Sequence, residues 1–247
     1  MSLDLLVIGP HPDDLEIGLG ASVARHVALG YRVGLCDLTR GELGTNGTPD
    51  ERLAEAEAAR RVLGAPWREN LGWPDGAIGA DPEHVREAAA FIRRWKPRTV
   101  AIPYSEDRHP DHVAASRLLR TAAFRAGLAR YQAPGDPWRP DWVVQYFIND
   151  STRPSFVVDV SDCYEVKRQA LACHRSQFEQ SAAGAVPTRL TSPRFQQLIE
   201  SRDAQFGALI GVSFAEGVVV RDLLERPHLL RDSGTAPSRP PAPEESR

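Results

Sequence analysis

Along the first half of the chain, short apolar runs alternate with longer stretches in which apolar residues recur at helical spacing. LDLLVIG (3–9), YRVGLCDL (31–38), WRENLGW (67–73) and RTVAIPY (98–104) have the length and composition of strands. Residues 15–30, 49–64 and 81–96 lie between them and read as amphipathic helices. Asp50 and Asp81 stand where N-caps or first-turn acids belong, and Gly30 and Gly64 mark helix ends. A further helix is expected over 111–127, then strands at WVVQYFI (142–148) and SFVVDV (155–160), then a helix over 164–177. Strand–helix alternation predicts an α/β fold, a Rossmann-like, mostly parallel sheet flanked by helices on both faces, with mixed strand directions toward the C-terminal half. One domain is expected over 1–231. Residues 232–247, DSGTAPSRPPAPEESR, lack apolar periodicity and are expected to form a flexible tail.

Composition narrows the partners. The 247 residues carry 30 Lys and Arg against 33 Asp and Glu, a formal charge of -3. No overall basic field is present, which argues against nucleic acid. Cys36, Cys163 and Cys173 show no C-x-x-C spacing, so neither a disulfide framework nor a cysteine zinc knuckle is expected, and a reducing cytoplasm fits. The N-terminal apolar run is interrupted by Asp4, and no later run approaches the ~18 residues of a membrane span. A cytoplasmic protein without membrane contact is expected.

Two stretches share one plan. VIGPHPDDLEIG (7–18) and AIPYSEDRHPDHVAA (101–115) each run from a strand into His-Pro-Asp and on into a helix. In a parallel sheet such strand ends lie along the C-terminal edge, where ligands bind, so the two turns are expected to face each other. His11 with Asp14, and His109 with His112, are three residues apart, which puts both members on one side of a starting helical turn. Two imidazoles and a carboxylate make an open catalytic metal site of the zinc type. With His11, Asp14 and His112 as ligands, Asp13 is left as general base. His109 then stabilises an oxyanion or protonates a leaving amine, held by Asp111 on its second ring nitrogen. His26, His84 and His228 lack partner spacing and read as surface or capping residues, Cys36 as core, and Glu16 as a first-turn acid or a support for the site. GLGAS (18–22) lacks the third glycine of a dinucleotide fingerprint, and no G-x-S-x-G elbow is present.

GPHPDDLEIGLGA, LTRGELGTNGTPDERLAEAEAA, LGWPDG and PYSEDRHPDHVAA closely resemble the PIG-L/LmbE-like de-N-acetylases over residues 3–222. The resemblance implies a zinc enzyme that removes N-acetyl groups from glucosaminides. It implies the same ligands, His11, Asp14 and His112, with Asp13 as base and His109 as partner of the oxyanion. It also implies substrate contacts from Arg52 and Asp75, with Arg108 as a candidate contact for a malate carboxylate. Where mycothiol-pathway relatives carry a tyrosine, this chain has Asp107. EDRHPDH, YFIN, HRSQF and AEGV look most like the bacillithiol-pathway branch, which acts on N-acetylglucosaminyl malate. A homo-oligomer is implied, with a hexamer as the candidate assembly. The metal is expected to be Zn2+, though the same ligands accept Fe2+, Mn or Co. Other readings are a deacetylase of another N-acetylglucosaminide, such as a chitooligosaccharide or an antibiotic intermediate, a thiol-conjugate amidase, and a metal-binding module without catalysis.

Overall fold

The computed structural model of the protein describes residues 2–79, 81–179 and 186–224. His228 and the tail at 232–247 lie outside the described residues. Seven strands form one sheet in the order β3-β2-β1-β4-β5-β7-β6. They are β1 (Leu5–Gly9), β2 (Val33–Thr39), β3 (Trp67–Trp73), β4 (Thr99–Pro103), β5 (Trp142–Tyr146), β6 (Phe156–Asp159) and β7 (Ala215–Val219). The first five run parallel, while β7 is antiparallel to both β5 and β6, so the directions mix where the sequence pattern indicates. β1 and β2 are buried along their whole length, as parallel strands covered on both faces must be. Alternation divides their side chains between two layers. Leu5 and Val7 pack with α1 (Asp14–Ala28), α2 (Pro49–Val62), α5 (Tyr164–Cys173) and α7 (Pro193–Ile210). Leu6 and Ile8 pack with α3 (Pro82–Trp95) and α4 (Pro110–Ala126).

Helix starts follow local chemistry. Proline opens α2, α3, α4 and α7, where its missing N–H has no helical partner to lose. Asp81 caps α3, but Thr48 rather than Asp50 caps α2, closing a capping box with Glu51. The segment 164–177 is two helices, α5 and α6 (Arg175–Phe178), because His174 at φ -82, ψ 59 leaves helical geometry between them. The apolar pattern does not predict α7 or β7. Among the described residues no helix is long and apolar enough to cross a membrane.

α1 lies unusually close to the sheet. A Cβ on Gly18 would collide with the ring of Tyr146, and the Tyr146 hydroxyl donates to the Ile8 carbonyl at 2.9 Å. The glycines of GLGAS therefore serve close packing rather than a nucleotide. Gly18→Ala is expected to lower stability by about 1–3 kcal/mol, the usual cost of forcing an extra methyl into a filled core. Urea unfolding measures it, and an unchanged midpoint would mean that α1 can shift freely.

Candidate metal centre and active site

β1 and β4 are adjacent and parallel, and the order of strands reverses between them. Chains leaving their carboxyl ends turn to opposite sides, which opens a crevice at that point of the edge. The two His-Pro-Asp turns occupy it and face each other. His11 Nδ1 lies 2.9 Å from Asp14 Oδ2, and His112 Nε2 lies 3.3 Å from the same oxygen. One donor atom from each of His11, Asp14 and His112 falls within 4.8 Å of the others, and all three residues are buried. His11, His109 and Asp111 form a second such group, which shares His11 and includes the exposed His109.

Each buried imidazole is held from behind by a carboxylate. Asp107 Oδ1 lies 3.0 Å from His112 Nδ1, and Asp75 Oδ1 lies 3.0 Å from His11 Nε2. Such a partner fixes the tautomer and turns the opposite nitrogen toward a metal. Sequence reasoning missed Asp107 in this role, although its place two residues before His109 was the departure noted from the mycothiol-pathway pattern. Asp107 is itself fixed by the backbone N–H groups of His109 at 2.8 Å and Asn149 at 2.9 Å. Asp75 spends one oxygen on His11 and the other on the Leu43 N–H at 2.9 Å, so its carboxylate supports the imidazole.

The expected pairing of Asp111 with the His109 ring is not formed. The Asp111 carboxylate accepts from the Gly76 N–H at 2.8 Å and lies 3.3 Å from His11 Nε2. His109 Nδ1 instead accepts the Asp111 backbone N–H at 3.2 Å, as the N-cap of α4. With Nδ1 an acceptor, a neutral His109 carries its proton on Nε2. Burial, then the charges of His112 and His11, hold His109 below the ordinary histidine pKa.

The donor set suits a cation. Against the cost of burial, Asp14 and Asp107 draw His112 up to about 9. His11 is likewise raised well above its usual range, as its hydrogen bonds to the Asp111, Asp14 and Asp75 carboxylates overcome desolvation. The carboxylates thus recruit positive charge onto the imidazoles, and a divalent ion among the same atoms would meet that demand directly. Two histidine nitrogens and one carboxylate oxygen are the ligand types of an open zinc site.

Asp13 sits beside this cluster with φ 114, a left-handed backbone setting that a non-glycine residue adopts at an energetic cost. Burial raises its carboxyl to about 6, only partly offset by Arg52. Arg52, for which the resemblance implies a substrate contact, lines the site from a buried position. The buried guanidinium donates to the Gly41 and Pro12 carbonyls, both at 2.8 Å, and lies 3.4 Å from Asp13 Oδ2. A side chain on Gly41 would occupy the same space. Glu55 accepts from the Ser176 backbone and hydroxyl, each at 2.7 Å. Glu16 is fully buried against Arg68, which also grips Asp37 through two hydrogen bonds. His84, expected as a surface or capping residue, is buried, stacked on Trp73 at 4.2 Å, and accepts the Gly79 N–H at 3.3 Å.

A cleft of about 620 Å³ opens over these groups. Asp13, Asp14, His109 and His112 form its floor, and Leu43, Ile148, Leu190 and Phe195 add apolar wall. Arg108 and Arg189 are exposed at its lining, and among the described residues neither guanidinium is paired with an acid.

Comparison with known proteins agrees with this arrangement. The PIG-L family, described as GlcNAc-PI de-N-acetylase, matches residues 6–123, the stretch that carries both His-Pro-Asp turns. The diacetylchitobiose deacetylase of Thermococcus kodakarensis is 30% identical over 231 residues, covering 87% of this chain and 81% of that protein. The 1D-myo-inositol 2-acetamido-2-deoxy-alpha-D-glucopyranoside deacetylase of Streptomyces avermitilis is 32% identical over 61% of this chain and 62% of its own length. Among solved structures, the conserved protein TT1542 from Thermus thermophilus superposes with a TM-score of 0.83 at 40% identity, covering 91% of this chain and 98% of that one. With the matched stretch, the identity over most of the chain and the shared fold in agreement, this chain belongs to the PIG-L family of de-N-acetylases.

Proposed function

We propose that the protein hydrolyses the N-acetyl amide of a glucosaminide with a zinc ion held by His11, Asp14 and His112, and that its substrate is N-acetylglucosaminyl malate, giving glucosaminyl malate and acetate. The observation that carries the deacetylase reading is a buried, raised carboxyl, Asp13, beside a three-donor cluster on the floor of an open cleft. His11, Asp14 and His112 would hold a divalent ion, which when bound would supply Lewis acidity toward the acetyl carbonyl and the water. Asp13 removes a proton from the attacking water as oxygen adds to the acetyl carbon. His109 donates its Nε2–H to the oxygen on which charge develops. The C–N bond then breaks, and Asp13 returns its proton to the departing sugar amine. Arg52 keeps the Asp13 carboxylate in place, while Asp107, Asp75 and Asp111 hold the imidazoles.

The guanidinium of Arg108 at the cleft, unpaired with an acid among the described residues, supports an anionic aglycone, since arginine matches a carboxylate with two parallel hydrogen bonds. A neutral aglycone is the second reading, favoured by relatives named for chitobiose- and inositol-linked substrates.

Two measurements test these roles. His11→Ala is expected to lose the metal. Asp13→Ala should keep metal content and lose about 10²–10⁴-fold in turnover. Equal metal loss in both would refute the division of labour. Because the base works deprotonated, kcat/KM should fall as pH drops through its pKa, with an acid limb no higher than about 6, since a neighbouring dication draws the carboxyl down from that value. A limb above neutrality in the parent, or one unchanged in Asp13→Ala, would assign the base elsewhere.

Acetate release by the metal-quantified protein should be fastest, per kcat/KM, from N-acetylglucosaminyl malate in a panel with N,N′-diacetylchitobiose and the inositol glycoside. Arg108→Ala should raise KM for the malate glycoside by about 10–100-fold, the worth of a charged hydrogen bond, and spare chitobiose. Preference for a neutral aglycone, or an equal effect on all three, would overturn the malate reading. Bound metal without acetate release from any of them would leave a binding module.

A further inference from the structure

α1 is not one continuous helix. Leu19 has φ -137, ψ 19, and the chain bends there, five residues after Asp14. A break inside a buried helix leaves backbone groups without helical partners, and each must find another. Buried charges meet them from outside the helix. Glu216 on β7 accepts the Ala21 N–H at 3.1 Å and the Ser22 N–H at 2.7 Å, capping the second half. Ala21 N–H is the donor that an unbroken helix would direct at the Ile17 carbonyl. That carbonyl is met instead by Arg202 of α7, whose Nη2 donates to it at 2.8 Å.

The same guanidinium reaches a second element. Arg202 Nη1 donates to the Phe147 carbonyl at 3.2 Å and to the Ile148 carbonyl at 3.0 Å, at the exit of β5. Asn149, the next residue, donates from Nδ2 to Asp107 Oδ1 at 3.0 Å, and Asp107 holds His112. One planar group therefore joins the half-helix that carries Asp14 to the segment that steadies His112. Arg202 Nε donates to Asp203 at 3.0 Å, and Lys167, fully buried, bridges Asp203 at 2.6 Å and Glu216 at 2.7 Å. The signs alternate along this row, so the guanidinium is neutralised without any acid from the metal cluster.

We propose that Arg202 is a positioning residue for the metal centre, a three-carbonyl clamp that sets the separation of Asp14 from His112. This rests on the reading of those residues, with His11, as metal ligands. Lysine at this place keeps the charge beside Asp203 but cannot span Ile17, Phe147 and Ile148 together, because it lacks the guanidinium fork. Lys167 provides the contrast. It belongs to the same row of charges yet touches neither Phe147, Ile148 nor Ile17 in the described hydrogen bonds.

Zinc affinity by chelator competition, the visible spectrum of the cobalt-substituted protein, and urea unfolding are measured for the parent, Arg202→Lys, Arg202→Met and Lys167→Met. Arg202→Lys should weaken zinc binding by about 10–100-fold, as loss of a group supporting a ligand does, and should alter the cobalt bands. Lys167→Met should lose stability while holding zinc within about twofold of the parent, since no ligand's support passes through it. Arg202→Met, which removes the charge as well, should lose both. Parent-like zinc affinity and cobalt spectrum in Arg202→Lys would overturn the clamp, as would an equal affinity loss in Lys167→Met, which would mark a general loss of structure. Should Arg202→Met fail to fold, Arg202→Lys alone decides. A parent that binds no metal would overturn the ligand assignment itself, an outcome distinct from failure of the clamp.

Discussion

Asp14 Oδ2 is approached by His11 Nδ1 at 2.9 Å and by His112 Nε2 at 3.3 Å, and that convergence depends on the pairing of β1 with β4. The two turns lie far apart in sequence, so no local interaction brings them together. The parallel register of Leu5 on Thr99 and Val7 on Ala101 does, by putting both strand ends on one edge. A slip of one residue would send each buried side chain of β1 to the opposite layer, so the core that fixes the register also fixes the site. Precision at the crevice is thus inherited from packing some distance below it.

Burying so many charges requires partners close by. Behind α1, Arg68 serves Asp37 and Glu16, and Lys167 with Arg202 serves Asp203 and Glu216. Replacing such groups by apolar residues of similar size is often neutral or stabilising in other proteins, so their presence calls for a reason beyond stability. Here three of these groups also hold backbone. Glu216 holds the start of the second half of α1, Arg202 the end of the first, and Arg68 the Ala56 carbonyl of α2. A charged group directs its hydrogen bonds where an apolar one cannot, and a helix that bends five residues after Asp14 has backbone groups that need that direction.

The parallel core and the two turns were legible because each rests on short-range signals. β-branched runs, proline at first helical positions and terminal glycines are readable one window at a time. α7 and β7 were not, because their places depend on β7 inserting antiparallel between β5 and β6, a long-range pairing. At the site, the spacing of His11, Asp14, His109 and His112 announced a cluster, but the carboxylates behind the imidazoles left no local mark. Asp107 looks like an ordinary loop acid until Asn149 and His112 close around it. Asp111 was assigned to its neighbour in sequence, His109, yet the helix start turns its carboxylate to Gly76 and His11. Arg52 was legible only as a substrate contact implied by resemblance, and its burial depends on the glycine-rich loop that folds over it.

The arrangement at Asp13 explains why that loop is needed. A carboxylate that takes a proton from water and returns it to an amine must be basic enough to accept and acidic enough to release, so its pKa has to sit near the working range. Burial alone would carry the Asp13 carboxyl higher still. A fully paired arginine would hold it too low to accept a proton. Arg52 stands between these limits, spending two hydrogen bonds at 2.8 Å on the Gly41 and Pro12 carbonyls and approaching Asp13 only to 3.4 Å. Burial with this partial offset raises the carboxyl to about 6 before any effect of a cation, and Asp13, at φ 114, lines the cleft. Gly41 is then constrained by the guanidinium it covers, and the loop holds in place the cation that offsets part of the effect of burial on Asp13.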